Sequence, residues 1–242
     1  MKILGAVDEN ISGMACRCCP AWKFCFLFHA NGQSKGGARN GRLKGEFYAE
    51  NESIYLHGDP VHSIYIVCEG VVKTETESKE GKQQVTGFYM PGELFGLDGI
   101  GSEEYPGSAI ACVASRACAF PIEEVLRICS SNREFLREML SGMGRRIRFD
   151  GCKWRLVENE TAYYRVLFFL CDLLIRQQGG AVSAGVAMLQ MEKRDISNFL
   201  GMNPSTLSRE LWKLEGEGLI WKESNEQVRV GETALSLYQN FT

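Results

Sequence analysis

Cys16, Cys18, Cys19 and Cys25 place four thiols within a short stretch of a chain that has ten cysteines in 242 residues. Thiols at this density hold a metal or an iron–sulfur centre, exchange electrons through disulfides, or staple a small secreted fold. The first residues, Met1-Lys2-Ile3-Leu4-Gly5-Ala6-Val7-Asp8-Glu9, meet acid before any apolar run of signal-peptide length. The expected compartment is therefore a reducing cytoplasm, where clustered cysteines serve as metal ligands or redox sensors more often than as structural disulfides. The histidines are His29, His57 and His62, and none stands in a nucleophile–base pattern, so no enzyme activity is expected.

Composition narrows the class further. Apolar content of 45% and charged content of 24% are those of a globular protein. The most apolar run, residues 166–175, is interrupted by Asp172 and is about half the length a membrane-spanning helix needs, so no membrane partner is expected. A formal net charge of −3 argues against a protein that coats nucleic acid by bulk charge, while leaving room for a local DNA-reading surface.

The elements that must position the thiols divide the chain. Residues 1–43 read as a cysteine-rich arm whose C-terminal half, from residue 31, is rich in Gly, Asn, Ser and Lys. Residues 44–130 are short apolar runs punctuated by glycines, the texture of an antiparallel barrel or jelly roll. Glu80-Gly81-Lys82 stands between two such runs as a hairpin turn. Residues 131–158 favour helix, and Leu136, Leu140, Met143, Ile147, Asp150, Trp154 and Val157 follow at alternating steps of four and three. That is the seam of a coiled coil, with one charged member; the competing reading is an amphipathic helix lying on a core, with Asp150 at its solvent edge.

Residues 159–242 form a second domain. A helix over 161–177 ends at Gly179-Gly180. A short helix over 191–200, a turn at Gly201-Met202-Asn203 and a helix over 204–215 make a helix-turn-helix, in which Asn203 is the cap and Pro204 occupies the first position. Leu207, Leu211 and Leu214 make its buried face, leaving Ser205, Ser208, Arg209 and Trp212 outward. Residues 216–221 and 227–230 suit a two-stranded wing. Residues 190–222 hold five basic and five acidic side chains, so the DNA reading rests on the motif and not on a basic patch.

An arm of cysteines, a glycine-rich barrel, a seam helix and a winged helix-turn-helix together resemble the CRP/FNR family of bacterial transcription regulators, and the cysteines are similar to those of its oxygen-sensing FNR branch. The resemblance implies an α+β fold: a cyclic-nucleotide-binding-like β jelly roll, a long dimerisation helix and a C-terminal winged helix-turn-helix. Three cysteines spaced C-x2-C-x5-C and a fourth before an apolar-Pro segment carry the branch's [4Fe-4S] cluster; Cys16, Cys19 and Cys25 have that spacing, and Cys118 stands before Ala119-Phe120-Pro121. Cys18 and Cys112 are alternative ligands, and Cys68, Cys129, Cys152 and Cys171 read as small buried hydrophobes. Zinc is the competing metal, since four cysteinates also bind it tetrahedrally.

The same resemblance assigns the remaining roles. Pro91-Gly92-Glu93-Leu94-Phe95-Gly96 resembles the turn that approaches a cyclic nucleotide's phosphate, but Gly107-Ser108-Ala109 carries glycine where the family's arginine belongs, so cyclic AMP is not expected. Asp150, with Ile147 and Trp154, is the expected dimer switch: an acidic seam residue opposes association until cluster binding relieves it. In the recognition helix Ser208 and Arg209 match the family's pattern, whereas Ser205 replaces a glutamate and should be more permissive at its base pair. The partners implied are a second copy, a pseudo-palindromic double-stranded DNA site and, through the loop Gly96-Leu97-Asp98-Gly99-Ile100-Gly101, RNA polymerase. The expected whole is a cytoplasmic regulator of genes for anaerobic metabolism that loses dimerisation when oxygen or nitric oxide degrades its cluster. Its rivals on the same scaffold are a reversible disulfide among Cys18, Cys19 and Cys25, and a barrel that takes an organic effector or haem.

Overall fold

Glycine-punctuated apolar runs dominate the first part of the described chain. The computed structural model describes residues 45–78 and 80–239, apart from the side chains of Trp154, Leu156, Val157 and Asn159. Strands β1 (Gly45–Tyr48), β2 (Ser53–Tyr55), β3 (Ser63–Glu69), β4 (Val72–Glu77), β5 (Gln83–Tyr89), β6 (Leu94–Phe95), β7 (Ser108–Ala111) and β8 (Ser115–Pro121) make two four-stranded sheets, ordered β1-β8-β3-β6 and β2-β7-β4-β5. Their pairings are antiparallel. Tyr55, Val67, Val72, Phe95, Ala109, Ala111 and Ala117 fill the space they enclose. The β4–β5 hairpin turns at Gly81, whose φ is 76°. Gly70 is needed for a second reason: a Cβ there would stand 2.2 Å from the Ser115 hydroxyl, which is buried and accepts the Val71 amide.

Helix α1 (Ile122–Ser131), absent from the sequence reading, follows β8 directly and puts Val125 and Ile128 against Ile64, Ile66 and Phe120 of the barrel. Helix α2 (Arg133–Asn159) begins where the Asn132 side chain accepts the Glu134 and Phe135 amides, both at 3.1 Å. At 1.5 Å per residue it is about 40 Å long. Helix α3 (Ala162–Gln177) opens the C-terminal part, followed by β9 (Gly185–Met188), α4 (Lys193–Phe199), α5 (Pro204–Gly216), β10 (Ile220–Lys222), β11 (Gln227–Val230) and α6 (Glu232–Tyr238).

The wing has three strands, ordered β10-β11-β9, where the pattern suggested two. β9 is four small or unbranched-to-branched apolar residues without alternation of polarity. Its strand character comes from pairing with β11, some forty residues downstream.

One apolar core runs from the barrel into the helix-turn-helix. Val71, Val85, Phe88, Met90 and Cys112 join Leu167, Leu170 and Leu174 of α3, Ile196 and Phe199 of α4, and Leu207 and Leu214 of α5. The Phe88 ring lies 5.2 Å from Phe199 and 6.1 Å from Phe169, so a movement of β5 is felt directly by both helices. The architecture is α+β. Among the described residues no helix is long and apolar enough to cross a membrane.

Candidate functional site

Helix α5 presents its polar residues as its spacing requires. Leu207 and Leu214 are buried, which turns Ser205, Ser208 and Arg209 outward and leaves Trp212 74% exposed. Gly201, with φ 65°, makes the turn, Asn203 accepts the Thr206 amide at 2.7 Å, and Pro204 starts the helix. Two details escaped the sequence. The Ser205 hydroxyl donates to Asn203 at 2.7 Å, so it is engaged in the cap. Glu210 is 4% exposed, and its carboxylate holds Arg209 Nε at 3.2 Å and Lys213 Nζ at 3.0 Å. Arg209 is thereby steered along the exposed face. Replacing it by alanine is expected to remove about 1–3 kcal/mol of discrimination at a single guanine, measured across single-base variants of the site; equal weakening on every sequence would place it on phosphate instead.

Of the four cysteines assigned to the cluster, Cys118 is described and Cys16, Cys19 and Cys25 lie outside the described residues, as does Cys18. Cys118 sits on β8 and is half-buried. Its register partner on β1 is Gly45, and a Cβ on that glycine would stand 3.6 Å from the Cys118 sulfur. The first described residue thus stands directly beside this thiol. Among the described residues no three His, Cys, Asp or Glu side chains converge as a metal site. Cys112 and Cys171 belong to the shared core, where burial pushes both thiols up to about 12. Cys152 accepts a hydrogen bond from Arg155 at 3.3 Å. Cys68 is buried, yet its sulfur lies 3.1 Å from that of Cys118.

The seam of α2 is open. Leu140 is 56% and Ile147 70% exposed, on the same face as Asp150; the Trp154 and Val157 side chains lie outside the described residues. Asp150 is held by Arg146 Nε at 3.0 Å, and the same guanidinium donates to the Thr86 carbonyl of β5 at 3.2 Å and lies 4.9 Å from the Tyr89 ring centre. One side chain thus ties the seam carboxylate to the barrel. Lys153, one turn on, sits 3.6 Å from the ring centre of Phe199, and burial lowers its pKa to about 8.

The carboxylate of the barrel's phosphate-like turn is engaged by the protein itself. Glu93 receives Arg176 of α3 through Nε at 2.8 Å and through Nη2, while Arg176 also donates to the Phe88 carbonyl at 2.6 Å and to Asp172 at 3.1 Å. Burial raises the pKa of Asp172 to about 6, with Arg176 opposing the rise. At Gly107 a Cβ would meet the Glu75 carbonyl oxygen at 2.5 Å, so this backbone path admits no side chain where the resemblance seeks an arginine. A cavity of about 570 Å³ opens between this turn, α2 and α3. Its α2 wall is Glu138, Gly142, Arg145, Arg146 and Phe149, so the side chain that holds Asp150 also lines the cavity.

A jelly roll coupled through a long helix and a continuous core to an outward-facing recognition helix defines a DNA-binding transcription regulator. Comparison with known proteins specifies the kind. The cyclic nucleotide-binding domain matches residues 46–132, and the Crp-like helix-turn-helix domain matches residues 164–232. The transcriptional activator protein Anr of Pseudomonas aeruginosa is 33% identical over 183 residues, covering 76% of this chain and 75% of its own. The fumarate and nitrate reduction regulatory protein of Escherichia coli is 26% identical over 219 residues, covering 90% and 88%. The chain belongs to the CRP/FNR family of transcription regulators. Among solved structures, FixK2 from Bradyrhizobium japonicum superimposes with a TM-score of 0.71 at 23% identity, over 81% of this chain and 96% of that one, a likeness of fold. Regulators of this family bind DNA and act as dimers.

Proposed function

We propose that this protein is a cytoplasmic, homodimeric transcription activator whose dimerisation and promoter binding depend on an oxygen-labile [4Fe-4S] cluster held by Cys16, Cys19, Cys25 and Cys118. The observation that carries the reading is the half-buried Cys118 thiol beside Gly45, where the arm with its C-x2-C-x5-C spacing joins the barrel. The donor chemistry fits, since four thiolates satisfy such a cluster. Relatives point to the same physiology by name: one from Pasteurella multocida is an anaerobic regulatory protein, 28% identical over 219 residues. The cluster, when bound, supplies an oxygen-sensitive centre joining residues 1–43 to the barrel domain, residues 44–130.

The protein's own residues do the rest. Ile147 and Leu140 provide the apolar seam of the dimerisation helix, residues 131–158, with Trp154 further along it. Two Asp150 carboxylates brought together there lose water at a cost of several kcal/mol each, against about 8 kcal/mol for a whole micromolar dimer. Arg146 offsets that cost, and because it also holds Thr86, the offset depends on where β5 stands relative to α2. Asp150→Ala is expected to raise the dimer association constant under air about tenfold or more, read by sedimentation; an unchanged constant would dispose of the charge mechanism.

In the domain over residues 159–242, Ser205, Ser208 and Arg209 read half-sites of a pseudo-palindrome about one DNA turn apart. The loop from Gly96 to Gly101, with Asp98 and Ile100 exposed, is the surface offered to RNA polymerase. Cyclic AMP is not the effector, a reading supported by the closed space at Gly107 and by Arg176 on Glu93. Anaerobic preparation should yield a brown protein with iron and sulfide each near about four per chain. A colourless protein with one zinc would refute the mechanism. A colourless, metal-free protein that responds to a small organic effector would instead favour the cavity beside Glu93.

A further inference from the structure

We propose that Cys68 and Cys118 form a peroxide-reactive thiol pair, in which Cys68 captures oxidised Cys118 as a disulfide and so keeps the barrel thiol recoverable. The chemistry stands on geometry alone; its consequence for the cofactor rests on the reading of Cys118 as a cluster ligand.

The two sulfurs are 3.1 Å apart, about 1 Å beyond a covalent S–S bond. Their strands are neighbours. Cys118 is paired with Ile66, and Cys68 lies two residues along β3, on the same face of the sheet. In a regular ladder such diagonal neighbours stay about 7–8 Å apart at Cα. Here the register slips between Val67, paired with Ala117, and Glu69, paired with Arg116. Cys68 is the extra residue of that bulge, and the bend brings its side chain onto Cys118.

Exposure divides the labour. Cys118 is half-buried, whereas Cys68, in contact with it, is 3% exposed. A more exposed thiol backed by a shielded one is the arrangement of a reacting and a resolving cysteine. The other fully buried thiols, Cys112 and Cys171, belong to a different cluster at the domain junction.

With hydrogen peroxide as oxidant, the Cys118 thiolate attacks one peroxide oxygen. The O–O bond breaks, the sulfur keeps OH as a sulfenic acid, and the second oxygen leaves as water after protonation. The Cys68 sulfur then attacks the Cys118 sulfur, the S–O bond breaks, and hydroxide departs as water with the proton Cys68 gives up. In sum two thiols lose two electrons and two protons, and one peroxide becomes two waters. The disulfide leaves no thiolate at position 118 until a reductant restores it. Without Cys68 the sulfenic acid is exposed to further, irreversible oxidation.

The test uses the full-length chain, prepared anaerobically and stripped of iron by chelation, then treated with excess hydrogen peroxide, reduced with dithiothreitol and alkylated. Before reduction, peptide mapping should show Cys68 linked to Cys118. After reduction, the wild type should return at least about tenfold more alkylatable Cys118 than Cys68→Ser or Cys68→Ala, in which Cys118 is trapped by dimedone or reaches the sulfinic state. Two variants with matched thermal melts guard against a misfolded one. Equal recovery of Cys118 with and without Cys68, or linkage of Cys118 to an arm cysteine, would overturn the pair. Because iron is absent from the assay, a failure of the cluster reading leaves this result legible. An iron-binding wild type that shows no Cys68–Cys118 linkage would sink the pair and leave the cluster standing.

Discussion

Cys118→Ser is expected to abolish specific DNA binding in anaerobic protein while leaving the barrel folded. Serine lacks the soft thiolate that an iron–sulfur centre requires, so under the proposed four-cysteine ligand set the substitution would remove one ligand of four and the link between arm and barrel. The chain should then remain monomeric and bind its site no better than random DNA, a drop on the order of a thousandfold. Cys118 is half-buried, so the packing cost is small and the melting temperature should barely move. Gel shifts and sedimentation under nitrogen check the result. Cys25→Ser should behave alike. Cys152→Ser should not, because Cys152 lies on α2 with Arg155 as its partner. Equal effects of all three would remove the ligand assignment.

Arg176→Ala is expected to cost about 3–5 kcal/mol of stability, the usual consequence of leaving buried charge without its partner. Arg176 serves Glu93, Asp172 and the Phe88 carbonyl at once, and these lie on the barrel as well as on α3. Its removal therefore loosens the junction between sensor and DNA-binding domains as well as α3 itself. For a chain of this size that loss is about 10 °C or more in melting temperature. The pH dependence gives the cause away. Burial raises Asp172 to about 6, above its unfolded value, so the folded state binds the extra proton and the penalty of the buried charge is present above pH 6 and relieved as pH falls toward 4. Without Arg176 that penalty grows, and the variant's deficit should be larger at pH 7.5 than at pH 5. A deficit below about 1 kcal/mol, or one independent of pH, would show that Glu93 and Asp172 find other partners.

The helix-turn-helix was legible because its signals are local. Asn203 and Pro204 mark the start of α5, and Leu207 and Leu214, spaced seven residues apart, define the buried face from within one helix. The long helix α2 was legible in the same way, and on it Ile147 and Asp150 share a face by helical geometry alone. The glycine rhythm marked a barrel, since a hairpin turn such as Gly81 needs only its neighbours. The burial of Glu210 escaped the sequence because a carboxylate is expected in water, and only the arrival of Arg209 and Lys213 beside it makes burial tolerable. Strand β9 was missed because its partner lies far along the chain.

By itself the amino-acid sequence carried the family resemblance that implied the fold class, and it placed the candidate reading face of α5 through caps and spacing within a few turns of chain. Tertiary structure alone decided that Arg176 engages Glu93 of the barrel's phosphate-like turn, that Gly107 closes the arginine position, and that a bulge in β3 sets Cys68 against Cys118. These contacts join residues remote in sequence, and their geometry depends on strand register and domain docking. A single-residue slip in register would turn either thiol to the opposite face, and no residue-by-residue pattern records that slip.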